Sequence, residues 1–202
     1  GYNWTGAETS WRAAPEQYGA IHFHDDDLYD AGWEPSFSFT VPNGMRSGCY
    51  AAWIRAGGDE DYLPFFIRPA RGKPQAKILY LAPTASYMAY ANFLFEIGFA
   101  GAELQSRRLV VVQPWHEYLN MHPELGRSQY DVHSDGSGIC YSSRLRPILN
   151  MRPKVITPAA GGDGAGGLWA YNADTHLTDW LEAMGHRFDV LTDEDLEGGG
   201  VS

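Results

Sequence analysis

The densest run of potential metal ligands is at residues 22–27, which read His-Phe-His-Asp-Asp-Asp. In a strand, His22 and His24 would point to the same face, as two ligands of one metal ion must. The spacing offers no third ligand at a fixed distance. We therefore favour the simpler interpretation, an exposed strand that leads into an acidic turn.

Familiar motifs of nucleotide binding and nucleophilic catalysis are missing. The glycine-rich residues 161–167 lack the spacing and the lysine of a phosphate-binding loop. The G-x-G-x-x-G fingerprint is absent after the apolar run at residues 78–81, and the chain has no G-x-S-x-G elbow. His133, Asp135 and Ser137 supply the residue types of a catalytic triad, but they are too close in sequence to be taken as one. The context of Cys140 does not favour a cysteine nucleophile.

The tyrosines are a second source of chemistry. Twelve occur, and several are predicted where loops meet a sheet: Tyr87, Tyr90, Tyr118, Tyr130 and Tyr141. Taken singly, such a tyrosine is usually a core-edge residue with a hydrogen-bonded hydroxyl. A phenolate is also a hard oxygen donor, which a bound cation can deprotonate, and hard donors suit trivalent iron. Composition alone does not decide between these roles.

The N-terminal part of the chain is predicted to be β-rich. Short strands are expected at residues 18–23, 36–41, 49–55 and 62–67, with turn residues between them. We assign residues 1–69 to this module, which forms part of a sandwich or sheet. The Pro/Gly-rich residues 70–76 are assigned to a linker.

Residues 77–202 are predicted to form a truncated α/β domain. The apolar run 77–82 is typical of a parallel strand covered on both faces. A helix over about 87–99, capped by Thr84 or Ser86, a strand at 109–112 and a long loop over 113–143 follow. A helix over 174–185 would bury one apolar stripe, before a strand at 187–191 and an acidic end at 192–195. That stripe comprises Leu177, Trp180, Leu181 and Met184.

Charge and cysteine content exclude several classes of protein. The 202 residues carry a net charge of −10, which disfavours nucleic acid and acidic membranes as partners. No apolar run approaches the roughly 20 residues of a membrane span. The two cysteines form no disulfide framework, so a cytoplasmic location is expected. The two ends of the chain suggest a fragment of a larger protein.

Nine short motifs, in this order, resemble the large (β) subunit of N,N-dimethylformamidase over nearly the whole chain. They are residues 15–20 (PEQYGA), 37–42 (FSFTVP), 60–66 (EDYLPFF), 86–92 (SYMAYAN), 129–136 (QYDVHSDG), 141–148 (YSSRLRPI), 150–153 (NMRP), 173–177 (ADTHL) and 189–196 (DVLTDEDL).

The resemblance implies a fold, a cofactor and a reaction. The fold is an α/β protein in which a β-rich N-terminal segment precedes an incomplete Rossmann-like, amidotransferase-like parallel sheet with helices. The cofactor is one ferric ion held by two tyrosines, which match Tyr90 and Tyr130, and by a glutamate expected beyond the chain end. The reaction is hydrolysis of small N-alkylated amides, such as N,N-dimethylformamide to formate and dimethylamine. His133 is expected to lie behind the ligands.

The resemblance also implies partners. These are the remainder of the large subunit, a small helical subunit and further copies in an oligomer, so the 202 residues alone are expected to be inactive. Two other interpretations stay open from the residues. One is a non-catalytic fragment or binding module of a larger multidomain protein. The other is a hydrolase with a serine or cysteine nucleophile.

Overall fold

A computed structural model describes residues 4–18, 24, 27–94, 112–133, 135–155 and 169–197. Within these ranges, four strands and four α-helices are joined by loops and short 3-10 turns. In chain order they are β1 (Gly48–Ala56), β2 (Asp59–Ile67), β3 (Ile78–Ala82), α1 (Thr84–Ala89), α2 (Pro114–Met121), α3 (Tyr171–Ala183), β4 (Phe188–Thr192) and α4 (Asp193–Glu197), with 3-10 turns at Pro15–Gln17 and Pro123–Leu125. No helix in the described ranges has the length and apolarity to cross a membrane.

Strands β1 and β2 form an antiparallel hairpin. Gly48 pairs with Ile67 at one end, and the chain reverses through Gly57 and Gly58. Both glycines have positive φ, 58° and 101°, which a residue with a Cβ adopts only at a cost. The strands predicted at 49–55 and 62–67 are confirmed.

The strand predicted at residues 36–41 is wrong. The structure has no strand there, and the side chains of Phe37, Phe39 and Val41 are about half exposed. Alternating apolar residues form a strand only when a neighbouring backbone pairs with them and the apolar face is covered. In the described part of the chain neither condition is met. Residues 19–23 of the first predicted strand lie outside the described residues.

Strands β3 and β4 form a parallel pair, with Ile78 opposite Phe188. This confirms the strands predicted at 77–82 and 187–191. A core of Ala82, Leu181, Phe188 and Val190 lies beside the pair, and Cys49, Phe66 and Tyr80 pack against it. One antiparallel and one parallel sheet therefore share a core, which makes an α/β architecture.

Coverage of β3 on both faces is not found. Ile78, Leu79 and Leu81 are each more than a third exposed among the described residues. A parallel strand normally needs cover on both sides, because its apolar residues face both ways.

Polar contacts connect the hairpin and the predicted linker to β4. The buried Ser47 hydroxyl donates to the Ile67 carbonyl and accepts from the Val190 N–H, both at 2.8 Å. The Asp189 carboxylate accepts from the backbone N–H groups of Gln75 and Ala76 at 2.7 and 3.0 Å. The boundaries of the three predicted segments stay a prediction.

Helix α1 begins earlier than predicted and ends at Ala89. The acidic residues after β4 cap its N-terminus, where backbone N–H groups lack helical partners. The Asp193 carboxylate accepts from the Ala85 N–H at 2.8 Å, and Glu194 accepts from the Thr84 hydroxyl at 2.7 Å. The acidic stretch therefore positions α1. Residues 95–99 of the predicted helix, 109–111 of the predicted strand and the glycine-rich 161–167 lie outside the described residues.

Helix α3 exists where predicted but buries a different face. Among the four predicted core residues only Leu181 is buried, together with Tyr171, Asn172 and Thr178. Leu177, Trp180 and Met184 are about half exposed. The buried face carries polar groups that find partners, such as the Asn172 amide, which donates to the Val155 carbonyl at 2.5 Å. Hydrophobicity alone does not reveal such a face.

The two cysteines are free and differ in exposure, since Cys140 is exposed and Cys49 is not. Burial raises the pKa of the Cys49 thiol to about 11, helped by the nearby Glu182 carboxylate. At pH 8 only about one Cys49 thiol in a thousand is then ionised. Iodoacetamide is expected to modify Cys140 first, with Cys49 reacting only after unfolding, as read by peptide mass spectrometry. Equal labelling of both in the folded protein would contradict this environment for Cys49.

Helix α2 lies inside the predicted loop 113–143, and the loop prediction is wrong there. The helix starts at Pro114, and the buried His116 accepts the Gln113 N–H on Nδ1 at 3.0 Å. In return, the His116 N–H donates to the Gln113 carbonyl at 2.9 Å. The proline at the first position and this exchange of hydrogen bonds stabilise a helix that the apolar pattern does not show.

Burial also makes His116 an acid-sensitive point. Desolvation lowers its pKa from 6.5 to about 4, so the unfolded chain binds a proton that the folded chain excludes. We expect the free energy of unfolding to fall as pH drops from about 6.5 to about 4. Urea titrations across this pH range should show the slope of the free energy of unfolding against pH. The variant His116→Asn keeps a hydrogen-bond acceptor but does not titrate, so it should reduce that slope. An unchanged slope in His116→Asn would refute the assignment.

Candidate metal centre

Tyr90 and Tyr130 lie side by side. Their rings are stacked with centroids 4.0 Å apart and planes 5° from parallel. A side-chain hydrogen bond with Tyr130 is the main cause of a raised pKa at Tyr90, with burial second. The structure therefore brings together the two tyrosines that the resemblance singled out.

Aromatic side chains border the tyrosine pair. Phe93 meets Tyr90 edge-on at 5.6 Å and Tyr130 at 6.2 Å, and Trp169 meets Tyr90 at 5.5 Å. Tyr130 itself is 59% exposed. The site is thus an open, mainly apolar surface with two adjacent hydroxyls. Sequence reasoning missed Phe93 and Trp169, although the clustering of aromatics around residues 87–93 was a usable signal.

Helix α1 carries Tyr90 at its C-terminal end. One turn earlier, the Tyr87 hydroxyl donates to the Asp174 carboxylate of α3 at 2.5 Å and lies 3.2 Å from the Tyr80 hydroxyl. These contacts fix α1 against α3 and β3. The buried Tyr87 is a structural residue, as its type most often is.

Two asparagines hold the turn that follows Tyr90. The Asn150 amide donates to the Tyr90 carbonyl at 2.7 Å, and its oxygen accepts from the Asn92 N–H at 3.0 Å. Asn92 is 1% exposed and has a φ of 61°. Its side chain donates to the Gly126 and Pro147 carbonyls and accepts from the Leu149 N–H. These contacts tie the Tyr90 segment to the loops around residues 126 and 147–150.

A backbone hydrogen bond joins the two tyrosine segments directly, from the Gln129 N–H to the Ala89 carbonyl at 2.9 Å. Beside it, the Ser128 hydroxyl accepts from the Tyr130 N–H at 3.1 Å and donates to the buried Asp131 carboxylate at 2.7 Å. Burial raises the pKa of Asp131. Tyr130 is therefore placed by its own loop, which is bonded to the end of α1.

Gly126 allows the buried Arg146 to reach this loop. Its φ is 80°, and a Cβ there would collide with the Arg146 guanidinium. That guanidinium donates to the Arg127 carbonyl and the Ser142 hydroxyl, both at 2.9 Å. Glycine is required at 126 by both backbone and space.

His133 lies three residues after Tyr130 and is 3% exposed. Its ring stacks on that of His24, with centroids 3.6 Å apart. His24 and Asp27 are thus partly buried beside His133 and are less exposed than the predicted strand and acidic turn implied. Residues 25 and 26 of that turn lie outside the described residues. Sequence spacing could not show this, because the partner comes from a distant loop. His22 lies outside the described residues.

The donor set of the tyrosine pair suits a hard cation. The two phenol groups interact with each other, and ionising both without a cation would place two negative charges close together. A bound trivalent ion would remove that repulsion. With one carboxylate more, the donors would balance three positive charges.

A separate cavity of about 430 Å³ lies between the predicted linker and the parallel strands. It is lined by residues 68–74 and by side chains of β3, β4 and α4, and neither tyrosine of the pair is among them. Arg68 and Asp195 form an ion pair at its edge. This cavity is not the candidate metal centre.

The fold and the site define an α/β protein with a candidate two-tyrosine metal centre. A family model described as N,N-dimethylformamidase beta subunit-like, C-terminal, matches residues 1–202, so the chain belongs to that family. It is 44% identical over 202 residues to the N,N-dimethylformamidase beta subunit of Paracoccus aminophilus and 43% over 205 residues to that of Alcaligenes sp. Both alignments cover all of this chain but 26% of the relative, so the chain spans about a quarter of their length.

Proposed function

We propose that the chain is part of a ferric-iron amidohydrolase that hydrolyses small N-alkylated amides, such as N,N-dimethylformamide, to formate and an amine. The observation that carries the proposal is the stacking of the Tyr90 and Tyr130 rings, with centroids 4.0 Å apart. The names of the two relatives supply the substrate class.

Tyr90 and Tyr130 would hold the iron, together with a glutamate contributed from beyond residue 202. When bound, the ion would polarise an amide carbonyl and acidify a water molecule. The asparagine and serine contacts keep the two phenols adjacent, so little reorganisation is needed when they bind. Phe93 and Trp169 offer apolar surface for the methyl groups of a small amide. We place His133 behind the ligands, as a group that orients the Tyr130 loop.

The same proposal extends to the rest of the protein. The exposed apolar residues of β3 support a larger Rossmann-like, amidotransferase-like sheet, in which further strands or helices cover Ile78, Leu79 and Leu81. Those elements, a small helical subunit and further copies of the complex are the proposed partners. The 202 residues alone would then be inactive. Two free cysteines support a reducing, cytoplasmic location.

Removal of iron tests the proposal. The intact subunit with its partner is stripped by an iron chelator, and formate release from N,N-dimethylformamide is measured before and after reloading. We expect a loss of at least about 100-fold and recovery with iron(III). Full activity in iron-free protein would overturn the ferric mechanism. Absence of any amide hydrolysis in the iron-loaded complex would favour the non-catalytic binding module.

A further inference from the structure

We propose that His24, Asp27 and His133 form a second metal site, one that binds a divalent transition-metal ion such as Zn²⁺. The three side chains can each offer one ligand atom, and these atoms lie within 4.8 Å of one another. The donors are two imidazoles and one carboxylate, a set that binds zinc and other divalent first-row transition metals. The tyrosine pair, with its hard phenol oxygens, calls for a different ion.

The spacing of the donor atoms supports a metal rather than a tight hydrogen-bonded cluster. Asp27 Oδ2 lies 3.4 Å from His24 Nδ1, and the other oxygen, Oδ1, lies 3.5 Å from His133 Nε2. Charge-assisted hydrogen bonds are shorter, about 2.7–2.9 Å. Ligands at about 2.0–2.1 Å around a tetrahedral zinc ion are about 3.3–3.4 Å apart. Each separation taken singly is close to that second distance, with a different Asp27 oxygen facing each imidazole.

Burial and charge also fit a divalent cation. The side chains of His24, Asp27 and His133 are 17%, 18% and 2% exposed. One carboxylate with two neutral imidazoles carries a single negative charge, which a divalent ion more than compensates. The buried Arg146 guanidinium also interacts with the Asp27 carboxylate, so part of that negative charge is already compensated.

Neighbouring groups orient His24 as they do in metal sites. Its Nε2 lies 3.0 Å from the Ser137 hydroxyl and 3.5 Å from the Asp135 carboxylate. Ser137 is itself held by Asp135, which accepts its hydroxyl hydrogen at 2.6 Å. A partner on one imidazole nitrogen fixes the other as the ligand. Here Nδ1 is directed to Asp27.

Loading requires one movement. The two imidazole rings are stacked within 10° of parallel, so their in-plane lone pairs do not yet converge on one point. We infer that the His24 ring turns about its side-chain torsions when the ion binds. The bound ion would then tie His24 and Asp27 to the loop that carries Tyr130, and this link would stabilise the loop.

Cobalt and zinc binding test the site in the intact subunit with its partner, after removal of all metals. Co²⁺ is followed by the visible bands of a tetrahedral complex, and Zn²⁺ by calorimetry and by the shift in Tm. We expect one tight equivalent, whose affinity falls at least about 100-fold in His24→Ala and in Asp27→Asn. Asp27→Asn conserves volume, which keeps the fold, and exposed His176→Ala is the matched control.

A double variant Tyr90→Phe, Tyr130→Phe separates this site from the proposed ferric centre. It should bind Co²⁺ and Zn²⁺ as the parent does. Cation binding that is lost in the tyrosine variant but kept in Asp27→Asn would overturn the proposal. So would a parent protein that takes up neither ion below about 100 μM.

Discussion

Tyr90→Phe and Tyr130→Phe are each expected to weaken iron binding in the intact subunit by at least about 100-fold, with a matching loss of amide hydrolysis. Each substitution removes one hard oxygen donor and leaves the ring. Because stacking between the rings does not need the hydroxyl, the local fold should survive. Iron content after dialysis against a chelator, measured by elemental analysis, gives the result.

Tyr141→Phe is the matched control, since Tyr141 is 60% exposed and lies outside the stacked pair. It should retain iron and activity. Iron content that is the same in Tyr90→Phe, Tyr130→Phe and the parent protein would refute both ligand assignments.

The second large effect concerns stability. Asn92→Ala is expected to lower the free energy of unfolding by about 4 kcal/mol, because two carbonyl acceptors and one N–H donor lose their partner in a buried place. Alanine must also adopt a φ of 61°, a conformation that asparagine tolerates better than alanine does. Denaturant or thermal unfolding of the intact subunit measures the loss. The Tyr90 turn should loosen with it, since Asn150 bridges the two.

Asn92→Gly separates the two causes. Glycine accepts the positive φ but makes none of the side-chain hydrogen bonds, so it should be more stable than Asn92→Ala by about 1 kcal/mol and still well below the parent. If the free energy of unfolding of Asn92→Ala lay within about 0.5 kcal/mol of that of the parent, the Asn92 hydrogen bonds would not stabilise the turn after Tyr90 as described.

Local sequence patterns predicted two kinds of element. One kind pairs with a segment nearby in the chain, and the other is a strongly apolar run. The hairpin of β1 and β2 follows from two short strands around Gly57 and Gly58, and β3 and β4 follow from apolar runs. The prediction failed at residues 36–41, where alternation lacks a pairing strand. It failed again on α3, because Asn172 and Thr178 are buried through hydrogen bonds that hydrophobicity does not register.

The two tyrosines of the candidate centre were identified through the resemblance of their motifs to the family. Their spacing alone predicts an ordinary role at the edge of the core for each of them. The structure adds what no local pattern contains, namely the contact between two distant segments. The bond from Gln129 to Ala89 and the amide of Asn150 create that contact. His24 and His133 were considered separately for the same reason, and only the folded chain places them together.

The most direct test of the central assignment is the visible absorption and resonance Raman spectrum of the iron-loaded intact subunit. Iron(III) bound by tyrosine phenolates gives a charge-transfer band with phenolate vibrations enhanced under it. We predict this band in the parent, a weakened or shifted band in Tyr90→Phe and in Tyr130→Phe, and its loss in the double variant. An unchanged phenolate spectrum in the double variant, or an active iron-loaded parent that lacks the band, would contradict the account.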